Sequence, residues 1–547
     1  MDLLLKAKMW LAQDPDANTR AALRADLDNP VALAKAFAGP LKFGTAGLRG
    51  ELGYGESRMN KAVVMRATAG LMAWLNTQVD KPKVVIGCDA RHGSKEFAQA
   101  AAAVVAGAGG SAWLLPLAQP TPLTAFSVRY LQADAGIMVT ASHNPKQDNG
   151  YKVYLGGRVA TGAAEGVQIV PPIDKEIAAC IANAPGANQL PLSDAIKKID
   201  TRMAYQEVTT RLGKPAPIKI VLTPMHGVGG EIALAILQAA GFSDITLVEK
   251  QWQPDPEFPS VPFPNPEEEG ALDLAVERAN EVGADLIIAL DPDADRCAIA
   301  VPGRNSPSVG TPVGPGWVKL SGDETGVLIG EYITRGKRGG VTASSIVSGR
   351  SLGKISQARG LTHVTTLTGF KWISRTPELL YGYEEAIGHC VDPESVRDKD
   401  GIAAAVVVAS IVAQLKAGGK SVLVHFDELA EKFGLYYTQP LTFRMENVSL
   451  ISKTMDSLRS KEITNLAGVA VQERVDLRYG YRDTPGTDGI LLRTIANDQV
   501  IIRPSGTEPK VKCYLEVVLD ISEGVDWQTA KKRLQILKEA VRQLCAI

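Results

Sequence analysis

One supersecondary unit recurs three times along this chain, and that recurrence restricts the folds open to it more than any other feature. Each copy is a β-branched apolar run, a glycine-bearing loop, a helical stretch stopped by glycine, and a second short apolar strand. The first copy runs from residues 84–86 through a helix ending near Gly107 to 113–115. The second runs from 218–222 past a stop near Gly241 to 245–248, and the third from 341–347 past a stop near Gly360 to 363–367. Glycine just beyond a helix suits the left-handed cap that other residues adopt only at a Cβ penalty. Strand, helix and strand in this order imply parallel βαβ units. One further apolar strand follows each copy, at 135–140, 286–290 and 379–383, and each runs straight into a loop of unusual chemistry. These loops read Ala-Ser-His-Asn-Pro, Asp-Pro-Asp-Ala-Asp-Arg and Glu-Glu-Ala-Ile-Gly. Ligands of open parallel sheets bind beyond the carboxyl ends of strands, so three repeated domains can offer three different loops to one shared cleft.

The pattern breaks in the last part. Strand-like segments at 499–503 and 511–518 flank a polar loop, and Leu534, Leu537, Val541 and Leu544 then recur at helical spacing. The expected fold is therefore α/β: three repeated domains with mixed or parallel sheets, plus a smaller C-terminal α+β domain, around a central cleft. A length of 547 residues suits three or four domains. The expected boundaries are 1–205 (N-terminal helices, then the serine loop), 206–322 (the aspartate loop), 323–435 (the glutamate loop) and 436–547. The first 40 residues read as helices punctuated by Pro30 and Pro40.

Composition removes several classes. With 59 Lys+Arg against 60 Asp+Glu and no long block of like charge, no nucleic-acid partner or membrane surface is expected. The six cysteines show no C-x-x-C pair, which argues for reduced thiols over a zinc site or a disulfide framework. The apolar run at the start is too short for a signal peptide, and the uncharged stretch 402–413 is too short for a membrane helix. A cytoplasmic protein, monomeric or a small homo-oligomer, is expected.

Asp291, Asp293 and Asp295 occupy alternate positions, and in an extended segment such side chains share a face. Three carboxylates on one face repel unless a cation lies among them, and all-oxygen ligands suit Mg²⁺ or Ca²⁺. An EF-hand is excluded, because Arg296 replaces its turn glycine and Pro302 its twelfth-position carboxylate. The plainer alternative is a surface turn capped by Asp. Ser142 alone reads as a loop serine bonding its own backbone. Beside a metal, its hydroxyl or phosphate becomes a ligand, and His143 and Lys152 become groups that move protons or bind charge. Arg503 to Lys510, reading Arg-Pro-Ser-Gly-Thr-Glu-Pro-Lys, has the makings of a phosphate cradle and, alone, equally those of a plain turn. Glu384 and Glu385 at a strand end could accept hydrogen bonds from sugar hydroxyls, although an isolated Glu pair is more often solvated and only the repeat context favours the first reading.

Together these loops resemble the α-D-phosphohexomutase superfamily of phosphoglucomutases, phosphomannomutases and their phosphopentose and bisphosphate-forming relatives. The resemblance rests on Phe-Gly-Thr-Ala-Gly-Leu-Arg-Gly at 43–50, the serine loop at 140–145, the aspartate loop, 382–388 and 503–510, in order over nearly the whole chain. It implies a phosphoserine at Ser142, Mg²⁺ held by Asp291, Asp293, Asp295 and Ser142, and Arg49, His143, Lys152 and Arg296 around the reacting phosphoryl. It further implies substrate contacts from Thr368, Gly369, Glu384, Glu385 and Lys399, and capture of the distal phosphate by Arg503, Ser505, Gly506 and Thr507. The expected reaction interconverts glucose 1-phosphate and glucose 6-phosphate, with glucose 1,6-bisphosphate as intermediate and activator. Mannose or pentose phosphates are the alternative substrates. Ala386 stands where many relatives carry serine, and Pro292 and Ala294 replace commoner glycines, as in the branch that includes phosphopentomutases.

A rival reading is a serine hydrolase. Gly349-Arg350-Ser351-Leu352-Gly353 matches G-x-S-x-G between a strand and a helix, and His226-Gly227-Val228-Gly229 is similar to an oxyanion loop. A sugar-phosphate sensor without catalysis is disfavoured by the presence of the serine and all three aspartates.

Overall fold

The β-branched runs occupy the middle of each sheet, where both faces are covered and continuous apolar sequence is what burial selects. The computed structural model describes residues 2–44, 47–303, 309–445, 448–505 and 510–545. The chain forms two compact units, the first from Met1–Ala300, Val313–Pro315 and Gly388–Gln414, the second from Val301–Pro312, Gly316–Ile387 and Leu415–Ile547.

In the first unit, Lys83–Cys88 lies between parallel strands Ser111–Leu114 and Ala135–Val139. Ala135–Val139 turns back through the antiparallel Asp148–Leu155, on which Leu48–Glu51 pairs in turn. The second repeat has the same order: Lys219–Thr223 lies between Asp244–Leu247 and Leu286–Leu290, and Cys297–Pro302 returns antiparallel beside Leu286–Leu290. Three short helices precede the first sheet, Leu3–Gln13, Ala17–Ala25 and Pro30–Ala36, the last with proline in its first turn.

In the second unit, Val341–Ser345 lies between parallel strands Thr362–Thr366 and Leu379–Glu384. The C-terminal part is a six-stranded sheet in which Leu435–Arg444, Lys510–Leu519, Gln499–Pro504, Ile490–Thr494 and Val469–Asp476 pair antiparallel in that spatial order. Helix Trp527–Cys545 buries Leu534, Leu537 and Val541 against it, and Leu544 is partly buried there.

Left-handed glycines follow the repeat helices at Gly109, Gly241 and Gly360. In the first copy the cap is thus Gly109, because Gly107 is still helical. The stretch 402–413 forms the buried part of Gly401–Ala417, and among the described residues no single helix is long and apolar enough to cross a membrane.

In every repeat the central strand comes first and its two successors flank it. The loop leaving the central strand and the loop leaving the third strand are therefore neighbours at the carboxyl edge, the position where such sheets place ligands.

Candidate active site

Three strands assemble the surroundings of Ser142. Ser142 follows Ala135–Val139, and its backbone N–H donates to Thr140 Oγ1 at 2.9 Å. The Ser142 backbone is left-handed at φ 52°, an uncommon state for a residue with a Cβ. The antiparallel return sets Lys152 opposite Met138, and the next strand sets Arg49 opposite Gly150. Arg49 Nη1 donates to Asn144 Oδ1 at 3.1 Å. Ser142 Oγ donates to Asp291 Oδ2 at 2.8 Å and lies 3.4 Å from His143 Nδ1. Burial, followed by the Arg296 and Arg49 guanidiniums, holds the His143 imidazole well below its ordinary range.

The aspartates converge by a route other than the extended one expected. Ala294 adopts φ 53°, its N–H donates to Asp291 O at 2.8 Å, and Arg296 N–H donates to Asp291 Oδ1 at 2.9 Å. A tight turn therefore gathers the three carboxylates, with one oxygen of each within 4.8 Å of the others, all buried. Asp293 Oδ2 accepts from Thr121 Oγ1 at 2.6 Å and Lys152 Nζ at 2.9 Å. Asp295 Oδ2 accepts from Lys152 Nζ at 2.9 Å and pairs with Lys399 Nζ at 2.8 Å. Lys399 thus stands with the aspartates of the first unit. It is brought there by Gly401, where a Cβ would lie 2.4 Å from Arg296 O. Burial pushes all three carboxyls up, but at Asp293 the Lys152 ammonium and the hydrogen bonds from Thr121 and Lys152 outweigh it and leave the group lowered. Lys152 and Lys399 outweigh burial at Asp295 and hold it well below the usual range, whereas Asp291, facing Asp293 and Asp295, rises well above it. Lys152 is raised against its own burial by Asp293 and Asp295.

Asp293 Oδ1 and Asp295 Oδ1 are buried without a hydrogen-bond partner, and Arg296 Nε lies 3.7 Å from the second. Leaving charged oxygens so costs more than a neutral group would, at least about 1–3 kcal/mol each. An all-oxygen set with two such atoms fits a hard divalent cation.

The second unit carries the other candidates. Glu384 ends Leu379–Glu384 and is buried, while Glu385 accepts from Ser345 Oγ at 3.1 Å, Ser348 Oγ at 3.3 Å and the Tyr514 hydroxyl. Arg503 is the penultimate residue of Gln499–Pro504, and its Nη1 donates to Thr368 Oγ1, beside Gly369. Ser505 N–H closes the base of the hairpin on Lys510 O at 2.8 Å. Gly506 and Thr507 lie outside the described residues. Helix Gly322–Thr334 can abut the glutamate loop only because Gly322 has no side chain: a Cβ there would be 1.9 Å from Glu385 O.

The loops leaving the central strands hold the functional loops in all three repeats. Arg91 binds backbone carbonyls of the serine loop, Val228 N–H donates to Pro292 O at 2.9 Å, and Ser345 and Ser348 hold Glu385. Sequence reasoning missed Arg91, Thr121, Tyr514 and this supporting role. The available signal was position, since each of these loops follows a repeat's first strand.

The same contacts correct the hydrolase reading. The amides of His226, Gly227 and Val228 donate to Gln251 O, Pro224 O and Pro292 O, so none of these three is left for an oxyanion. Ser351 is an ordinary first-turn helical residue after Arg350 at φ −86°, without the strained elbow of a hydrolase nucleophile.

Residues 40–186, 196–304 and 321–433 match the family models of the phosphoglucomutase/phosphomannomutase alpha/beta/alpha domains I, II and III. A Haemophilus influenzae protein named "Probable phosphomannomutase" is 42% identical over 495 residues, covering 89% of this chain and 97% of its own length. A phosphoglucomutase of Staphylococcus haemolyticus is 33% identical over 524 residues, with coverage of 89% and 92%. Human phosphopentomutase is 32% identical over 595 residues, with coverage of 98% and 94%.

Proposed function

The chain belongs to the phosphoglucomutase/phosphomannomutase family of phosphomutases, and we propose that it is a phosphoglucomutase working through phosphorylated Ser142. The observation that carries this reading is the Ser142 hydroxyl: held on a left-handed backbone, it lies 2.8 Å from a buried aspartate trio that has two carboxylate oxygens to spare. The four expected domains, with boundaries at 205, 322 and 435, and a cytoplasmic setting belong to the same proposal.

Mg²⁺ bound by Asp291, Asp293, Asp295 and the Ser142 phosphate would neutralise charge on the phosphoryl oxygens. The remaining work falls to the chain's own side chains. Arg49 and Arg296 bring guanidiniums to the serine loop, where in-line transfer concentrates charge. The bond from phosphorus to Ser142 Oγ breaks as the bond to a sugar hydroxyl forms, and the hydroxyl proton passes to the neutral His143 imidazole, while the Lys152 ammonium, held charged by Asp293 and Asp295, offsets phosphoryl charge. The resulting glucose 1,6-bisphosphate then presents its other phosphate, which returns to Ser142 Oγ. Glu384 and Glu385 are assigned to the sugar, with Thr368 and Gly369 beside them, and Arg503, Ser505, Gly506 and Thr507 to the phosphate that is not reacting. Lys399 is assigned to the sugar side by resemblance alone, and its ion pair with Asp295 supports a role nearer the phosphoryl.

Ala386 supports a second reading, in which a pentose or mannose phosphate is the substrate, because it removes a hydroxyl from the loop that would judge sugar epimers. Catalytic efficiency on glucose, mannose and ribose 1-phosphates, with mass spectrometry of the Ser142 peptide, tests the proposal. Glucose is expected to lead. A lead of ribose or mannose over glucose moves the assignment to that sugar, and turnover without phosphate ever on Ser142 removes the mechanism.

A further inference from the structure

Arg91 is buried, and while its Nε faces the Asp89 carboxylate, both of its terminal nitrogens donate to backbone. Its Nη2 donates to Ser142 O and Asn144 O, each at 2.6 Å, and its Nη1 to Pro145 O at 2.8 Å and Asp148 O at 3.3 Å. One side chain thus binds four carbonyls of a seven-residue segment, 142–148, that begins with the left-handed serine. The donor fork is itself fixed. Asp89 Oδ1 accepts from Arg91 N–H at 3.0 Å and from Ser94 Oγ at 2.6 Å, its Oδ2 lies 3.5 Å from Arg91 Nε, and the Phe258 ring sits 5.1 Å from the guanidinium carbon. Phe258 is likewise left-handed, at φ 47°.

We propose that Arg91 is a positioning residue that fixes the backbone of the serine loop, so that Ser142 Oγ stays in line with Asp291. A planar fork with several donors is what this task needs, since a left-handed serine relaxes toward ordinary backbone once its carbonyl and those that follow lose their partners. Lysine, a single point donor, can serve one or two of the four carbonyls. The proposal rests on Ser142 being the reacting group, but its geometric half does not.

The test compares Arg91→Lys and Arg91→Met with wild type in the full chain, by hydrogen exchange and by steady-state kinetics on glucose 1-phosphate. The Asn144 and Asp148 amides, bonded to Ala141 O and Pro145 O, should exchange about tenfold faster or more in both variants while strand Lys83–Cys88 keeps its protection. With the serine displaced, kcat should fall about 100-fold in Arg91→Met and less in Arg91→Lys, with KM within about threefold. Unchanged exchange in the loop overturns the proposal. So does loss of protection across the whole first sheet, which would make Arg91 a general core residue. If Arg91→Met does not fold, Arg91→Lys still reads both quantities. Exchange decides the clamp whether or not wild type turns over glucose 1-phosphate, so failure of the mutase reading is seen separately.

Discussion

The aspartate site of the first unit and the glutamate and phosphate loops of the second hold their charged groups in different ways. In the first, three carboxylates are packed with Lys152, Lys399 and Arg296, and Asp295 is driven well below the ordinary carboxyl range. In the second, Glu385 rests on hydroxyls, Arg503 on a threonine, and Asp323 on a backbone amide and a tyrosine. Ion pairs in a dry site fix geometry and are costly to break, whereas neutral hydrogen bonds exchange readily with a ligand's hydroxyls or phosphate. Chemistry at a phosphorus atom requires the first arrangement, and repeated capture and release of a sugar phosphate requires the second.

The sharpest way to break this contrast is at the serine. Ser142→Ala should lower turnover by roughly three orders of magnitude or more while leaving sugar-phosphate binding largely intact, because it deletes the acceptor but none of the groups assigned to capture. Calorimetric titration with glucose 6-phosphate beside the turnover assay checks both halves. Wild-type-like turnover would place the chemistry elsewhere.

Next in size is the cation. Chelation with EDTA should abolish activity and added Mg²⁺ restore it. Asp293→Asn should raise the Mg²⁺ concentration for half-maximal rate by about 10- to 100-fold or more without unfolding the chain, since it removes charge from an oxygen pair of which Thr121 and Lys152 hold only one member. Full activity in excess chelator would mean that Lys152, Lys399 and Arg296 suffice to neutralise the trio.

The scaffold was far more legible in the sequence than its supports. The three copies, the four sheets' main strands and the chemistry-bearing loops can be read from apolar runs and glycines, because buried parallel strands have little choice of composition. The aspartate turn was misread as extended, since alternation of acids is equally compatible with a turn and nothing in the composition marks Ala294 as left-handed. Arg91 and Thr121 escaped because their partners lie 51 to 172 residues away, and single-residue patterns carry no information about such pairings. Lys399 was read by resemblance as a sugar ligand, and its partner Asp295 is visible only in three dimensions.

For the second unit, Arg503→Ala should lower catalytic efficiency by one to two orders of magnitude with both glucose 1-phosphate and glucose 6-phosphate. Loss of a charge-assisted hydrogen bond is worth about 1.5–3 kcal/mol, and the unreacted phosphate of either substrate would use the same guanidinium. The level of Ser142 phosphorylation should change much less. Forward and reverse kinetics decide: impairment with only one monophosphate would mean that the phosphate cradle is not shared.

The smallest expected effect tests charge compensation itself. Burial, with the Glu385 carboxylate adding to it, pushes Asp323 up to about 7, although Gly349 N–H donates to its Oδ1 at 2.7 Å and the Tyr383 hydroxyl at 3.0 Å. The unfolded chain releases this proton near the model-peptide value of about 3.9. Between that value and about 7 the folded protein holds a proton that the unfolded chain has lost. Stability from this site is therefore complete below pH ~4, declines as pH rises through the window and is lost above about 7, the reverse of a salt-bridged carboxylate. Asp323→Asn is neutral throughout and offers an oxygen to the same two donors, so its stability should not decline over that window. Relative to wild type it should gain on the order of 2 kcal/mol between pH 4 and pH 8, after discounting for partial exposure. Urea midpoints of both proteins at the two pH values, with equal slopes, measure the gain. Parallel pH dependences would show that Asp323 is ionised and compensated in the folded chain, and its contrast with Asp295 would then no longer be one of an uncompensated against a compensated carboxylate.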